Sequence, residues 1–333
     1  MDKNILIIGN GFDIYHGLRT KYIDFVKYTS QENTDEINSN MFVRYFKIVA
    51  KENQTWIDCE QEIRRVITTV LKALRLPILE SASGEGVLNA KMLSFNEKNV
   101  LRELPGIFSL KNNYDVVIGI ADKYRHKYLG VNISLVMSDI GKELNCLIDI
   151  LKKYLQKCIN LGKIERRSSQ IASLHPDYVV NFNYTKTYQL YNINDADVFF
   201  IHGNMESVPN NMVLGFEDVE EIDLECIYFK KYFQRMQKRT GFLDVKKFNQ
   251  DDTSLIFHPE ESHGVISHFF GLSMSITDGD MIREIEGLST KCIVYFYNKD
   301  DYESKLINII DVFGKQEAIH KIRTEKIKLV EIQ

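Results

Sequence analysis

Only five prolines and five cysteines occur in the 333 residues, and there is a single tryptophan. The cysteines, Cys59, Cys146, Cys158, Cys226 and Cys292, are scattered and contain no Cys-x-x-Cys pair, which argues against a disulfide framework and a structural zinc and leaves reduced, mostly buried thiols. Positive charge is not in surplus either: the formal net charge is −4, so no basic stripe suggests a nucleic-acid partner. No apolar run approaches the roughly 20 residues of a membrane span, and the residues before Ile5 leave no room for a signal peptide, so a soluble cytoplasmic protein is expected. Disorder is excluded by composition, with 44% hydrophobic and 11% aromatic residues.

What is present begins at the start of the chain. Ile5-Leu6-Ile7-Ile8 runs directly into Gly9-Asn10-Gly11-Phe12-Asp13 and then Gly17. Branched apolar residues in succession suit a parallel strand covered on both faces. Glycines without a Cβ let a ligand approach the backbone, and free amides at the start of a helix favour a phosphate. The third glycine of the Rossmann spacing is missing. Asp13 reads equally as a cap of that first helix.

A helix is expected within 15–28, a loop over 29–40, two helices within 41–75 joined near 52–55, and a long amphipathic helix from Asp139, as its N-cap, to about Asn160. The segment 113–120 reads as partly buried without deciding between strand and helix. Five later apolar runs end in polar or glycine residues: Tyr178 to Thr185, Val198 to Ile201 before His202, Met212 to Leu214 before Gly215, Val265 to Phe270 before Gly271, and Cys292 to Tyr297 before Asn298. In an open parallel sheet, ligands bind beyond the carboxyl ends of the strands. The expected class is therefore α/β, a mainly parallel Rossmann-type sheet with a large helical insertion. Residues 1–29 and 168–333 form its nucleotide-binding domain, 30–167 the mainly helical insertion and 220–262 a smaller one.

The motifs Gly9-Asn10-Gly11-Phe12-Asp13 with Gly17-Leu18, Asn181 to Thr185, Ile201-His202-Gly203 and Gly271-Leu272-Ser273 resemble those of the AbiH family of phage abortive-infection proteins. Their order is also similar to that of the sirtuin-type NAD-binding fold, with Gly215 to Glu217 and Asn298 in matching places. Thr185 stands where sirtuins carry Asp, and the zinc-binding cysteines have no counterpart. The resemblance implies a phage-defence effector that binds and hydrolyses NAD, or a related nucleotide, at the nicotinamide–ribose bond. It also leaves room for a homo-oligomer or a phage-encoded trigger as partner.

On that reading Gly9, Asn10, Gly11, Phe12, Gly17, Thr185, Gly271, Ser273 and Asn298 hold the nucleotide, and His202, Asn183 and Asp13 act on it. Imidazole titrates near neutral pH and suits a base, whereas the Asn183 amide can orient water or a ribose hydroxyl. His258, His263 and His268, at five-residue intervals, do not match zinc spacing and read as surface or loop histidines, so no metal is expected. Asp58 and Glu60, at i and i+2, do not share a helical face. Two alternatives stand beside the hydrolase: a nucleotide-sensing module without turnover, and a metal-dependent nuclease using Asp13, Asp58 and Glu60.

Overall fold

The apolar run at the start of the chain forms the inner strand β1 (Lys3–Ile8) of a six-stranded sheet in a computed structural model, which describes residues 2–52, 58–80, 86–110, 115–126, 130–164, 168–217, 224–244 and 264–332. The other strands are β2 (Tyr178–Asn181), β3 (Val198–Phe200), β4 (Val265–Phe270), β5 (Lys291–Phe296) and β6 (Ile327–Glu331). Every pairing is parallel, and the spatial order is β6-β5-β4-β1-β2-β3. The chain thus goes outward from β1 in one direction, then returns to β1 and goes outward in the other. That reversal puts a topological switch point between β1 and β4.

The register aligns Ile8 with Phe270 on one side and Asn181 on the other, so these three strands end level with one another. Alternation along β1 sends Ile5 and Ile7 to one face, where they pack with Met281, Ile282, Ile285 and Ile309, and Leu6 and Ile8 to the other, with Phe12, Ile171 and Tyr188. Helices cover both faces, and all four apolar residues of β1 are completely buried. Each contributes about 1.5–3 kcal/mol of burial, which is why a continuous apolar run, rather than an alternating one, specifies this strand.

By compactness the chain divides into two units. One comprises Met1–Lys21, Leu155–Val213 and Arg235–Gln333 and contains the parallel sheet; the other comprises Tyr22–Tyr154 and Leu214–Gln234. The second unit carries helices Tyr22–Gln31, Met41–Glu52, Cys59–Leu74 and most of Ile133–Cys158, but it also holds an antiparallel sheet of Ile78–Glu80, Gly86–Asn89, Val117–Ile120 and Phe108–Ser109.

Several local expectations are corrected. The segment 29–40 is not a loop throughout, because a short helix, Asp35–Ser39, is capped by Thr34, whose Oγ1 accepts from the Ile37 amide at 3.3 Å. The long helix starts at Ile133, not Asp139, with Asn132 Oδ1 accepting from the Leu135 amide at 3.0 Å. Met212 to Leu214 is buried but forms no strand; its amides are taken by other partners, such as the His202 carbonyl, 2.9 Å from Val213 N. His268 lies inside β4, where it is 5% exposed, rather than on a surface or loop. All five cysteines lie among the described residues and none is in a disulfide.

Candidate functional site at the carboxyl edge of the sheet

At the switch point, the end of β1 and the end of β4 interlock through their glycines. Gly9 N donates to the Phe270 carbonyl at 3.1 Å, Gly11 N to the Gly271 carbonyl at 2.7 Å, and Phe12 N to the Gly9 carbonyl at 2.8 Å. A Cβ on Gly11 would come 2.8 Å from Gly271 Cα, and one on Gly271, whose φ is +68°, only 2.0 Å from Phe12 N. The expectation that the amides of this turn stand open to a phosphate is therefore corrected: those of Gly9, Gly11 and Phe12 already serve the backbone. The Gly11 carbonyl is engaged as well, accepting from the Tyr297 hydroxyl at 3.0 Å.

The turn opens a short helix, α1 (Asn10–Tyr15), which Gly9 caps without a side chain and Gly17, at φ +79°, follows in left-handed conformation. Asp13 consequently does not cap it. It sits within the helix, 1% exposed, facing the turn after β2. Thr185 Oγ1 donates to Asp13 Oδ2 at 2.6 Å, and Asn183 Nδ2 donates to Asp13 Oδ1 at 3.1 Å and to the Gly9 carbonyl at 2.9 Å. Thr187 Oγ1 lies 3.0 Å from Thr185 Oγ1. Burial pushes the Asp13 carboxyl up to about 6, against the hydrogen bonds from Thr185, Thr187 and Asn183, which hold it down.

Asn181, fully buried at the end of β2, shapes that turn. Its Nδ2 donates to the Thr185 carbonyl at 2.8 Å and its Oδ1 accepts from the Asn183 amide at 2.8 Å. Sequence reading gives Asn181 no role of its own, although an Asn two residues before another at a strand end is a signal for a side-chain-to-backbone turn.

His202, after β3, is 5% exposed, with its ring 5.5 Å from that of Phe182. Its Nε2 lies 2.9 Å from Asp278 Oδ1. Asp278 carries no recognisable motif and is found only through the fold.

The remaining candidates of the first unit belong to α1 and to the segments that follow β4 and β5. Phe12 is buried among the rings of His16, Tyr191 and Phe270. Asn10 is exposed and donates to the Thr20 carbonyl at 3.3 Å. Ser273 is exposed, and its carbonyl accepts from Asn308 Nδ2 at 2.7 Å. Asn298 caps helix α3 (Lys299–Phe313) by accepting from the Asp301 amide at 2.9 Å. Asp58 likewise caps Cys59–Leu74, and Glu60 pairs with Lys231 at 2.8 Å, both in the second unit. Among the described residues no group of three His, Cys, Asp or Glu side chains could hold a metal. His258, His263 and Trp56 lie outside the described residues.

A cavity of about 240 Å³ lies elsewhere, lined by His175, Pro176, Asn194 and Asp197 ahead of β2 and β3. That is the amino-terminal edge of the sheet, and no candidate residue lines it.

The strand order and the buried polar cluster at the switch point define a Rossmann-like α/β protein whose chemistry-bearing side chains gather at the carboxyl edge. The family model described as bacteriophage abortive infection AbiH matches residues 5–298, and the chain belongs to that family. Membership implies a role in phage abortive infection. No curated protein and no solved structure matches the chain. No helix among the described residues is long and apolar enough to cross a membrane.

Proposed function

We propose that this abortive-infection protein binds NAD, or a related nucleotide, at the carboxyl edge of its parallel sheet and hydrolyses the bond between nicotinamide and ribose. The observation that carries the reading is Asp13: a carboxyl group 1% exposed, raised to about 6, held by Asn183 and Thr185 beside the switch point. Carboxyl groups buried at such a cost cluster at functional sites. The order of strand-end motifs, similar to that of the sirtuin-type fold, supports NAD as the ligand.

In this mechanism the C1′–N bond breaks and its electron pair leaves with nicotinamide. Positive charge develops on the ribose, to which an ionised Asp13 is complementary. The water oxygen bonds to C1′, and His202 accepts the proton that the water gives up. The Asn183 amide nitrogen is spent on Gly9 and Asp13, so its Oδ1 is the atom that would position the water. The amides of Gly9, Gly11 and Phe12 are committed to carbonyls, and the exposed Ser273 hydroxyl would bind the phosphates.

The test is incubation of purified protein with NAD, chromatography for free nicotinamide, and calorimetry for binding. Removing a positioned base loses about 10²–10⁴-fold in rate, so His202→Ala should lose turnover to that extent while NAD binding persists. In cells, growth arrest that persists in His202→Ala and Asp13→Asn with NAD levels intact would overturn the reading.

A further inference from the structure

His202 and Asp278 meet from opposite sides of the switch point. His202 follows the edge strand β3, and Asp278 lies between β4 and helix α2 (Gly279–Leu288). Two strands, β1 and β2, separate β3 from β4 in the sheet. At about 4.8 Å per strand the loops must cover about 14 Å to touch, and they do so with the two side chains 6% and 12% exposed.

The loop that delivers Asp278 is tied down along its length. Gly271 and Met274 take φ of +68° and +60°, and Met274 is 1% exposed. Asn308 Nδ2 holds the Ser273 carbonyl at 2.7 Å, Ser275 Oγ accepts from Thr277 N at 3.3 Å, and Asp278 N donates to the Ser275 carbonyl at 3.1 Å. A non-glycine residue held in left-handed backbone costs energy that the surrounding contacts must offset. The nearby Asp280 is taken by an ion pair with Arg235. Across the ring, the Phe182 edge contact limits rotation of the imidazole.

We propose that Asp278 is the positioning residue of His202: by accepting the Nε2 hydrogen it fixes the Nε2–H tautomer, so that Nδ1 carries the lone pair that takes the proton from water. A carboxylate on one ring nitrogen sets which nitrogen is protonated and stabilises the imidazolium that forms when the other accepts a proton. The assignment of Nδ1 as the reacting atom rests on the hydrolytic reading above, but the tautomer is a property of the protein alone.

The experiment is nitrogen-15 NMR of histidine-labelled protein over pH 5–9, with His202→Gln to assign the signals. The wild type should show the Nε2–H tautomer for His202. Asp278→Asn should lower its imidazolium midpoint by about one unit or more, and Asp278→Glu should restore most of that shift. A wild-type Nδ1–H tautomer overturns the proposal even if neither Asp278 variant folds. So does a folded Asp278→Asn protein with an unchanged midpoint. In turnover, Asp278→Asn should reduce kcat, with the pH profile shifted to match, and leave KM for NAD within about twofold. Loss appearing in KM alone would count against a positioning role. The tautomer and the midpoint shift support the proposal whether or not nicotinamide is released; a wild type that binds NAD without releasing nicotinamide refutes the hydrolase reading and not the pairing.

Discussion

Asn183 joins Gly9 to Asp13: one amide nitrogen donates to the Gly9 carbonyl at 2.9 Å and to Asp13 Oδ1 at 3.1 Å. The end of β2 thereby grips both the last turn residue of β1 and the carboxyl group one helical turn further on. Strand order supplies the proximity, because β1 and β2 are hydrogen-bonded neighbours ending level at Ile8 and Asn181. The polar cluster is thus tied to the rigid centre of the sheet, as a site requiring fixed geometry needs.

Asp13 makes the folded protein's stability fall as pH rises through the weakly acid range. Below the ordinary value of 3.8 the group is protonated in both states. Between 3.8 and about 6 the folded protein keeps a proton that the unfolded chain releases, and above 6 the cost is complete, on the order of 3 kcal/mol. Asn at this position can still accept from Asn183 and can donate to Thr185. Asp13→Asn should therefore melt higher than the wild type at pH 7.5, the difference closing by pH 4, while nicotinamide release is lost. Melting temperatures that run parallel from pH 4 to 7.5 would refute this account.

The glycines of the switch point should respond to alanine in a graded way. Gly271→Ala combines left-handed strain with a Cβ 2.0 Å from Phe12 N and should cost at least about 3 kcal/mol or prevent folding. Gly11→Ala, with no positive φ but a contact at 2.8 Å to the Gly271 backbone, should cost less. Gly287, exposed within α2 with nothing within 4 Å of a Cβ, should gain up to about 1 kcal/mol on substitution by alanine. Urea denaturation of the three variants checks the order, and a tolerant Gly271→Ala would contradict the interlock.

Strands β1, β2 and β5 are legible because burial writes them as apolar runs, and β4 because Val265-Ile266 and Phe269-Phe270 flank its buried Ser267 and His268. Met212 to Leu214 has the same look, yet Leu214 N is met by Gln234 Oε1 at 3.1 Å instead of a neighbouring strand; an apolar run reports burial, not its hydrogen-bond partner. β6 escapes notice because Lys328 and Glu331 interrupt its apolar residues at the sheet edge. Gly9 and Gly11 do signal a close approach, but the approaching group is the Gly271-Leu272 segment of the chain itself, and composition cannot distinguish that from a ligand. Asp278 is 76 residues from His202, and only the folding of two loops across the sheet end brings them together.

His268 acts in the same pH window as Asp13 with the opposite sign. Burial lowers it from the ordinary 6.5 to about 4, and its ring is held between Tyr295 Oη, 3.1 Å from Nδ1, and Asn4 Oδ1, 3.2 Å from Nε2. The stability it contributes is present above pH 6.5 and is lost as pH falls towards 4, because the unfolded chain takes up the proton first. Between pH 4 and 6 the two groups offset one another. Relative to the wild type, Asp13→Asn should show a steeper acid loss and His268→Gln a shallower one, measured as unfolding free energy against pH. Equal slopes in the three proteins would show that neither group titrates as described.

Asn183→Ala should move the acid limb of turnover rather than only lower its height. The Asn183 hydrogen bond is one of three that hold Asp13 down against the larger effect of burial, so its removal raises the carboxyl further above its ordinary range. If Asp13 must be ionised to stabilise the ribose, the pH at which nicotinamide release reaches half its maximum should rise in Asn183→Ala. Loss of the donor to the Gly9 carbonyl adds a fold cost of about 1–3 kcal/mol, which lowers the melting temperature without affecting that midpoint. Asn181→Ala is the useful comparison, since it removes the bonds to the Thr185 carbonyl and the Asn183 amide but takes no donor directly from Asp13. The pH profile of kcat/KM for the two variants, with melting curves beside it, separates carboxyl tuning from turn stability. A rise in midpoint confined to Asn183→Ala supports ionised Asp13 as the reacting form; an unchanged midpoint in that variant removes Asp13 from the chemistry.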